Sequence, residues 1–227
     1  MNWYKKALTL NPNLPGYVRL GFAYNCYQTQ EYEKAKQAFE RVLQLEPDNV
    51  HALVGLAVLD IRVDTDEAIE HSLSLLAQAY SIDPTSPIVL NHLANHYFYN
   101  QDFKKVRILA TRALEYAKSS QIRSESYFQI ARSFHATGNE DAAYEYYVQA
   151  YKLNTSHTLA RFGYAQMCIS KKQTTEAIKL FELILKEEPE DYDTLRILGS
   201  LYTSTNQSQL GYTLLTKAAS MNPNDIE

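Results

Sequence analysis

Two histidines four residues apart have the spacing in this sequence that most suggests chemistry. On a helix, His92 and His96 would lie one turn apart on one face and could present two imidazoles to a metal ion. A zinc-protease helix of the H-E-x-x-H type carries its general base directly after the first histidine, where this sequence has Leu93. No spacing indicates a third ligand, so we expect no metal site. The remaining histidines are scattered, at His51, His71, His135 and His157.

Other catalytic patterns are equally weak. The carboxylates at Glu187, Glu188, Glu190 and Asp191 cluster across Pro189, where a solvated turn is the ordinary explanation. The seven glycines match neither G-x-G-x-x-G, nor a phosphate-binding loop, nor G-x-S-x-G. We therefore expect no enzyme activity, no cofactor and no small-molecule substrate.

Bulk composition indicates a folded chain. Of the 227 residues 45% are hydrophobic, which is enough to form a core without disulfide or metal support. Cys26 and Cys168 lie far apart in apolar surroundings, which predicts buried thiols in a reducing, intracellular compartment. The net charge is −4 with scattered basic residues, so nucleic acid is not an expected direct partner. The longest apolar run, 52–59, is far short of the about 20 residues that span a membrane, so no membrane association is expected.

Small residues recur with a period of about 34 residues, the length of a tetratricopeptide repeat (TPR). The first series is Ala23, Ala57, Ala94, Ala131, Ala165 and Gly199. The second series is Ala35, Ser72, Val106, Ala143, Ala177 and Gly211. The third series is Ala7, Val42, Ala79, Ala113, Ala150, Ile184 and Ala218. Small side chains let helices approach closely, so each unit is predicted to be a pair of antiparallel helices.

Prolines close most of these units, because proline cannot continue a preceding helix. They are Pro12, Pro47, Pro84, Pro189 and Pro223, and Lys118 and Thr155 replace them in two units. The predicted fold class is all-α, a right-handed α-solenoid of six full TPR helix-turn-helix repeats after one leading helix. We expect one solenoid over residues 1–227. Its repeats are 14–47, 48–84, 85–118, 119–155, 156–189 and 190–223, and residues 2–11 form the second helix of a truncated repeat.

Two repeats carry about three residues more than the others. We place the extra residues near 63–66 in the second repeat and near 118–123 in the fourth, and expect them to lengthen loops. Ser86 followed by Pro87 is the pattern of a capped helix start. Many tyrosines fall at packing positions and are expected in the core, including Tyr97, Tyr127, Tyr147 and Tyr202.

The first helix of each TPR lines the concave side of the stack. One face of these helices carries mostly apolar and aromatic side chains in the first five repeats, and we predict that it binds partner proteins. Asn91 and Asn95 could hydrogen-bond the main chain of a ligand. Alternatively, some of these side chains pack against the next repeat. The candidates, called the groove stripe below, are Tyr17, Tyr24, Tyr27, Asn91, Asn95, Phe98, Tyr99, Phe128, Arg132, Phe162, Gln166 and Arg196.

Chaperone-binding TPR clamps hold a C-terminal carboxylate with a lysine and an asparagine in one unit, an asparagine in the next, and a lysine and an arginine in a third, and the groove stripe lacks this combination. Several segments instead resemble the TPR scaffold subunit of the RNA polymerase II-associated factor (Paf) complex. They are NPNLPGYVRLG near the start, ALVGLAVLD at 52–60, SPIVLNHLANHYFY at 86–99, QIARSFH at 129–135 and TLRILGSLY at 194–202.

This resemblance implies a nuclear protein that organises a transcription-elongation complex and influences histone modification, with the namesake and parafibromin subunits docking on the solenoid. It also implies that the chain is a middle piece of a longer subunit. Two alternatives stay open. The chain could be a generic TPR adaptor of another multiprotein complex, or the targeting arm of an enzyme, such as a glycosyltransferase, whose catalytic domain lies elsewhere.

Overall fold

The computed structural model describes residues 2–11 and 14–222, and they form thirteen α-helices joined by short turns. This confirms the all-α fold class. The helices are α1 (Asn2–Leu10), α2 (Gly16–Gln28), α3 (Tyr32–Leu45), α4 (Val50–Ile61), α5 (Asp66–Ile82), α6 (Pro87–Tyr99), α7 (Phe103–Tyr116), α8 (Ser120–Ala136), α9 (Glu140–Leu153), α10 (Thr158–Ser170), α11 (Thr174–Glu187), α12 (Tyr192–Ser204) and α13 (Ser208–Met221). Pro12, Pro223 and the side chain of Ala7 lie outside the described part of the chain.

The chain divides into two compact units. Unit 1 is Met1–Tyr116 and contains α1 to α7, and unit 2 is Ala117–Glu227 and contains α8 to α13. In each unit a first helix packs on the second helix of its own repeat, and that second helix packs on the first helix of the next repeat. Each predicted repeat range holds one such pair. That the six repeats form a single solenoid over residues 1–227 stays a prediction.

The three series of small residues lie where helices meet. Every described member is buried, as predicted from the spacing. The last repeat shows the reason most directly. A Cβ on Gly211 would stand 2.7 Å from the carbonyl oxygen of Gly199, closer than a side chain tolerates. The two glycines therefore let the backbones of α12 and α13 touch.

Aromatic side chains of second helices fill sockets in the following first helices. A Cβ on Gly55 of α4 would lie 2.4 Å from Cζ of Phe39 on α3, and a Cβ on Gly163 of α10 would lie 2.3 Å from Cε1 of Tyr147 on α9. Phe39 and Tyr147 are buried. Each glycine thus makes room for one ring, and the repeats stack through pairs of complementary size.

Every turn within a repeat contains one residue in the left-handed region. These residues are Gln30, Asp64, Gln101, Gly138, Lys172 and Asn206. In five of the six turns the next residue donates its backbone N–H to the carbonyl five residues earlier, as Glu31 does to Cys26 at 2.8 Å. This is the Schellman ending of a helix, which usually places glycine at the left-handed position. Only Gly138 does so here.

Most of the extra residues of the second and fourth repeats lengthen helices, so the prediction of longer loops was wrong except for one added residue in the turn 62–65. Helix α5 has 17 residues where the second helices of other full repeats have 14. Helix α8 also has 17, whereas the other first helices have 12 or 13. An added turn keeps the backbone hydrogen bonds of its residues inside the helix, and a longer loop would expose them.

Repeat ends follow the same plan with or without proline. Pro47, Pro84 and Pro189 each stand two residues after the end of a second helix, and so do Lys118 and Thr155. Helix α6 begins at Pro87 as predicted, although the side chain of Ser86 makes no capping hydrogen bond. The carboxylate of Asp83 instead accepts the N–H of Thr85 at 2.9 Å and forms the turn before α6.

Candidate functional site

In both units some first helices contact the first helix of the next repeat. In unit 1 α2 contacts α4 and α4 contacts α6, and in unit 2 α8 contacts α10. Among the described residues no two second helices approach one another in this way. The first helices therefore form the inner face of each unit, which is the face that carries the groove stripe.

In unit 1 the groove stripe offers accessible aromatic side chains. Tyr17 and Tyr99 are 71% and 74% exposed, and Tyr24 is also exposed. Tyr24 packs edge-on against Phe39, with ring centroids 5.4 Å apart, and its hydroxyl donates to the carbonyl of His51 at 3.5 Å. Burial against this neighbourhood raises the pKa of Tyr24. The tyrosine thus bridges α2, α3 and α4 and still faces solvent.

The two asparagines of the groove stripe in unit 1, Asn91 and Asn95, differ in how far they are buried. Asn91 is only 4% exposed, so its amide is not presented to a ligand in this structure. Asn95 is half-buried and lies one helical turn further along α6. Tyr27 and Phe98 are also half-buried, and their rings contact Tyr32 at 5.7 Å and Tyr99 at 5.9 Å.

In unit 2 the groove stripe mixes aromatic and polar groups. Phe128 is 7% exposed, with its ring centroid 5.0 Å from that of His157. The guanidinium carbon of Arg132 lies 5.2 Å from the centroid of the Phe128 ring, a cation–π contact. Phe162 is half-buried against Phe181 at 5.4 Å. Gln166 is half-buried and Arg196 is exposed.

A polar network on α8 and α10 was missed by sequence reasoning. The amide nitrogen of Gln129 donates to Glu125 at 2.6 Å, and Nε2 of His157 lies 3.0 Å from the other oxygen of Glu125. Nδ1 of His157 accepts the backbone N–H of Ala160 at 3.3 Å as the N-cap of α10. Nε2 of the neutral ring therefore carries the proton and donates to Glu125. The four-residue spacing of Glu125 and Gln129 was a readable signal, whereas a histidine cap was not.

A buried arginine was also missed. The side chain of Arg161 is 4% exposed, and its two terminal nitrogens lie 3.0 and 3.1 Å from the two carboxylate oxygens of Glu187. The carbonyl of Thr155 accepts a further hydrogen bond from it. This ion pair, in which one of the two terminal nitrogens makes the hydrogen bond, joins α10 to the end of α11. Its role is structural, because the guanidinium is closed off from solvent.

Two histidines with shifted pKa values lie on different helices, His96 on α6 and His135 on α8. Burial lowers the pKa of His96, whose Nε2 is 2.8 Å from the amide nitrogen of Asn100. Burial also lowers the pKa of His135, against the opposing charge of Glu140. Over residues 2–11 and 14–222, no group of three or more histidines, cysteines or acids is placed to hold a metal ion. Cys26 and Cys168 are buried free thiols, as predicted.

None of the helices that the structure describes is both long enough and apolar enough to cross a membrane. Two models of the tetratricopeptide repeat match the chain, one over residues 17–49 and the other over residues 134–199. The chain is a tetratricopeptide-repeat protein. These matches fall on the first repeat and on α8 to α12, where helix pairs are seen.

Curated relatives match this TPR protein over most of its length. It is 36% identical over 201 residues to the RNA polymerase-associated protein CTR9 of Caenorhabditis elegans, covering 88% of this chain and 18% of that protein. It is 34% identical over 228 residues to the CTR9 homologue of Arabidopsis thaliana, covering 99% of this chain and 21% of that protein. The TPR protein thus spans about a fifth of the length of these relatives.

Among solved structures, the TPR protein is similar to a chain of the APC/C hetero-tetramer Cut9-Hcn1. The TM-score is 0.80 with 11% sequence identity, over 98% of this chain and 43% of that chain. At this identity the likeness supports the fold alone.

Proposed function

We propose that this TPR protein is a segment of a scaffold subunit that organises an RNA polymerase-associated complex during transcription elongation. The carrying observation is the identity of 34–36% to CTR9 proteins of an animal and a plant over 88–99% of the chain. The inner face of packed first helices supports a binding role, because it offers exposed aromatic rings. The proposed partners are the namesake and parafibromin subunits of the Paf complex.

The proposed binding surface is the groove stripe, in which different members have different tasks. Tyr17, Tyr24 and Tyr99 supply accessible rings that a partner helix or peptide can cover. Arg196 is the exposed cation of the stripe, suited to a carboxylate of the partner. Asn91 and Phe128 are buried, and in this proposal they pack behind the exposed members of the stripe and hold them in position.

The half-buried members complete the stripe. Asn95 and Gln166 each offer a side-chain amide that can donate to and accept from the main chain of a partner. Tyr27, Phe98, Arg132 and Phe162 present only part of their surface, and the proposal gives them the edges of the contact. The proposal places the protein in the nucleus and links it to histone modification through the complex.

Affinity purification from nuclear extract tests the proposal. The tagged protein should recover the namesake and parafibromin subunits, and the Tyr17→Ala/Tyr99→Ala double variant should recover several-fold less of them. Both tyrosines are largely exposed, so the double variant should fold normally. Tyr116→Ala is the matched control, since Tyr116 is exposed on the second helix α7.

The outcomes separate the alternatives. Recovery of a different stable complex would replace this proposal with that of a general TPR adaptor. Recovery of the expected subunits in equal amounts with all variants would move the binding surface away from the groove stripe. A catalytic domain in the complete protein would favour the targeting-arm reading.

A further inference from the structure

A second surface of unit 1 lies between α5, α6 and α7. It is an open groove of about 380 Å³, called the α5–α7 groove below. Its lining is mainly apolar and comes from all three helices, including Leu73, Tyr80, Leu93, Tyr97, Ile108 and Leu109. The two second helices α5 and α7 stand apart there, and the first helix α6 forms the floor.

This groove is distinct from the groove stripe. Successive residues of a helix are about 100° apart, so Leu93 and Tyr97 lie on nearly the same side of α6. Asn95 of the groove stripe lies about 160° around the helix from both residues, and Tyr99 lies about 120–160° from them. Helix α6 therefore has the groove stripe on one face and the α5–α7 groove on the other.

The apolar lining is accessible. Ile108 is 57% exposed although it lines a concave surface. Isolated exposed apolar side chains are common, but a large one set in an apolar concavity is typical of a docking site. Tyr80 of α5 and Leu109 of α7 also line this groove.

The charge at the groove is positive. The guanidinium of Arg112 donates to the hydroxyl of Tyr80 at 3.1 Å, and no carboxylate of the described residues lies within ion-pair distance of Arg112. Lys105 lines the groove with its Nζ 4.6 Å from the ring centroid of Tyr97, and it is paired with Asp102 at 3.0 Å. One positive charge at the groove is therefore balanced and the other is not.

The sequence of helix α7 contains more positive than negative charges. Helix α7 has the basic residues Lys104, Lys105, Arg107 and Arg112 and the single acid Glu115, in a protein whose net charge is −4. The acids of α5, at positions 66, 67 and 70, precede the groove-lining part of that helix. Arg112 is held beside the groove-lining Tyr80 by its hydrogen bond and so adds a positive charge at the groove.

We propose that the α5–α7 groove binds a short acidic segment of a partner protein. A bulky apolar side chain of this segment contacts Leu93 and Ile108, and a neighbouring carboxylate pairs with Arg112. Arginine offers further donors beyond the one used by Tyr80, so it can hold a carboxylate without losing that bond. The inference is independent of the proposed function, which rests on the identity to CTR9 proteins and takes the groove stripe as its binding surface.

Peptide selection tests the proposal directly. The full protein is immobilised and used to select from a display library of random short peptides, and peptides that also bind the Ile108→Asp variant are removed. We expect the remaining peptides to combine a bulky apolar residue with nearby acids. Ile108→Asp should weaken their binding about tenfold or more, since it places a charge at the centre of an apolar contact.

Arg112→Gln should weaken the same peptides about two- to fivefold and make binding less sensitive to salt, as for one exposed ion pair. Tyr99→Ala is the matched control on the opposite face of α6 and should leave their affinity unchanged. Circular dichroism of each variant checks that the fold is intact. We expect it to be intact for the variants at Ile108 and Tyr99, because both side chains are exposed.

Three results would overturn the proposal. Selection that yields no peptide able to distinguish the native protein from Ile108→Asp would remove the groove as a binding site. Selected peptides that are neutral or basic would contradict the acidic occupant. Selected peptides that bind the Arg112→Gln variant as tightly as the native protein would contradict the pairing of their carboxylate with Arg112.

Discussion

Replacing Gly55 by alanine tests whether repeat stacking depends on the sockets for aromatic rings. Gly55 lies inside helix α4, where alanine would stabilise an unpacked helix by about 1 kcal/mol. The new Cβ, however, would stand 2.4 to 2.7 Å from three ring atoms of Phe39, which is fully buried. Overpacking of this kind costs about 1–3 kcal/mol, and three close contacts place the cost near the upper end. We expect a net loss of about 2 kcal/mol.

Urea unfolding of the full chain, followed by far-ultraviolet circular dichroism, measures this change. The midpoint should fall while the dependence on urea stays the same. A double-mutant cycle with Phe39→Leu adds a specific control, because the shorter side chain leaves space for the Cβ. The two substitutions should then be coupled favourably by about 1 kcal/mol. If Gly55→Ala instead raises the midpoint, helix propensity outweighs packing and the socket argument is wrong.

Three further predictions concern unit 2. Gly138→Ala should lower the free energy of unfolding by about 1 kcal/mol, because φ is +75° and a Cβ there meets no neighbour. Glu187→Gln should lower it by about 1–2 kcal/mol, since the buried guanidinium of Arg161 loses its charged partner. Burial, helped by a hydrogen bond to Glu182, raises the pKa of Tyr202 to about 12 from its ordinary value of 10.0. The stability from neutral Tyr202 should be complete below pH 10.0 and lost as the pH rises towards 12.

Thermal unfolding measures the first two changes, and phenolate absorbance against pH measures the third. An unchanged melting temperature for Gly138→Ala would mean that the turn relaxes without cost. Equal stability of Glu187→Gln and the native protein would show that water replaces the carboxylate at Arg161. If the Tyr202→Phe variant still shows the phenol that titrates near pH 12, the pKa assignment to Tyr202 is wrong.

Much of the fold was readable from spacing. The small residues at Ala23, Ala57 and Ala94 and their counterparts predicted helix pairs, and each described member is buried at a helix contact. Such positions can be recognised in the sequence because only small side chains allow two helices to approach closely, and this requirement recurs once in each repeat. The extra residues of the second and fourth repeats show no such recurrence. Most of them joined α5 and α8 because a helix satisfies their backbone groups internally.

The groove stripe was only partly predictable. Helical periodicity placed Tyr17, Tyr24 and Tyr99 on one face, and they are exposed there. The same periodicity placed Asn91 and Phe128 on that face, yet both are buried. Spacing gives the angle around one helix, whereas exposure depends on how deeply the neighbouring helices cover that angle.

The amino-acid order was enough to establish a chain of paired helices, the length of its repeat and the side of each helix that packs. These properties come from local periodicity and side-chain size, which act over a few helical turns. Contacts between residues about thirty positions apart needed the tertiary structure, among them Arg161 with Glu187, Glu125 with His157 and Arg112 with Tyr80. Each joins polar groups on different helices, and their meeting depends on helix separation and side-chain reach, which leave no periodic trace in sequence.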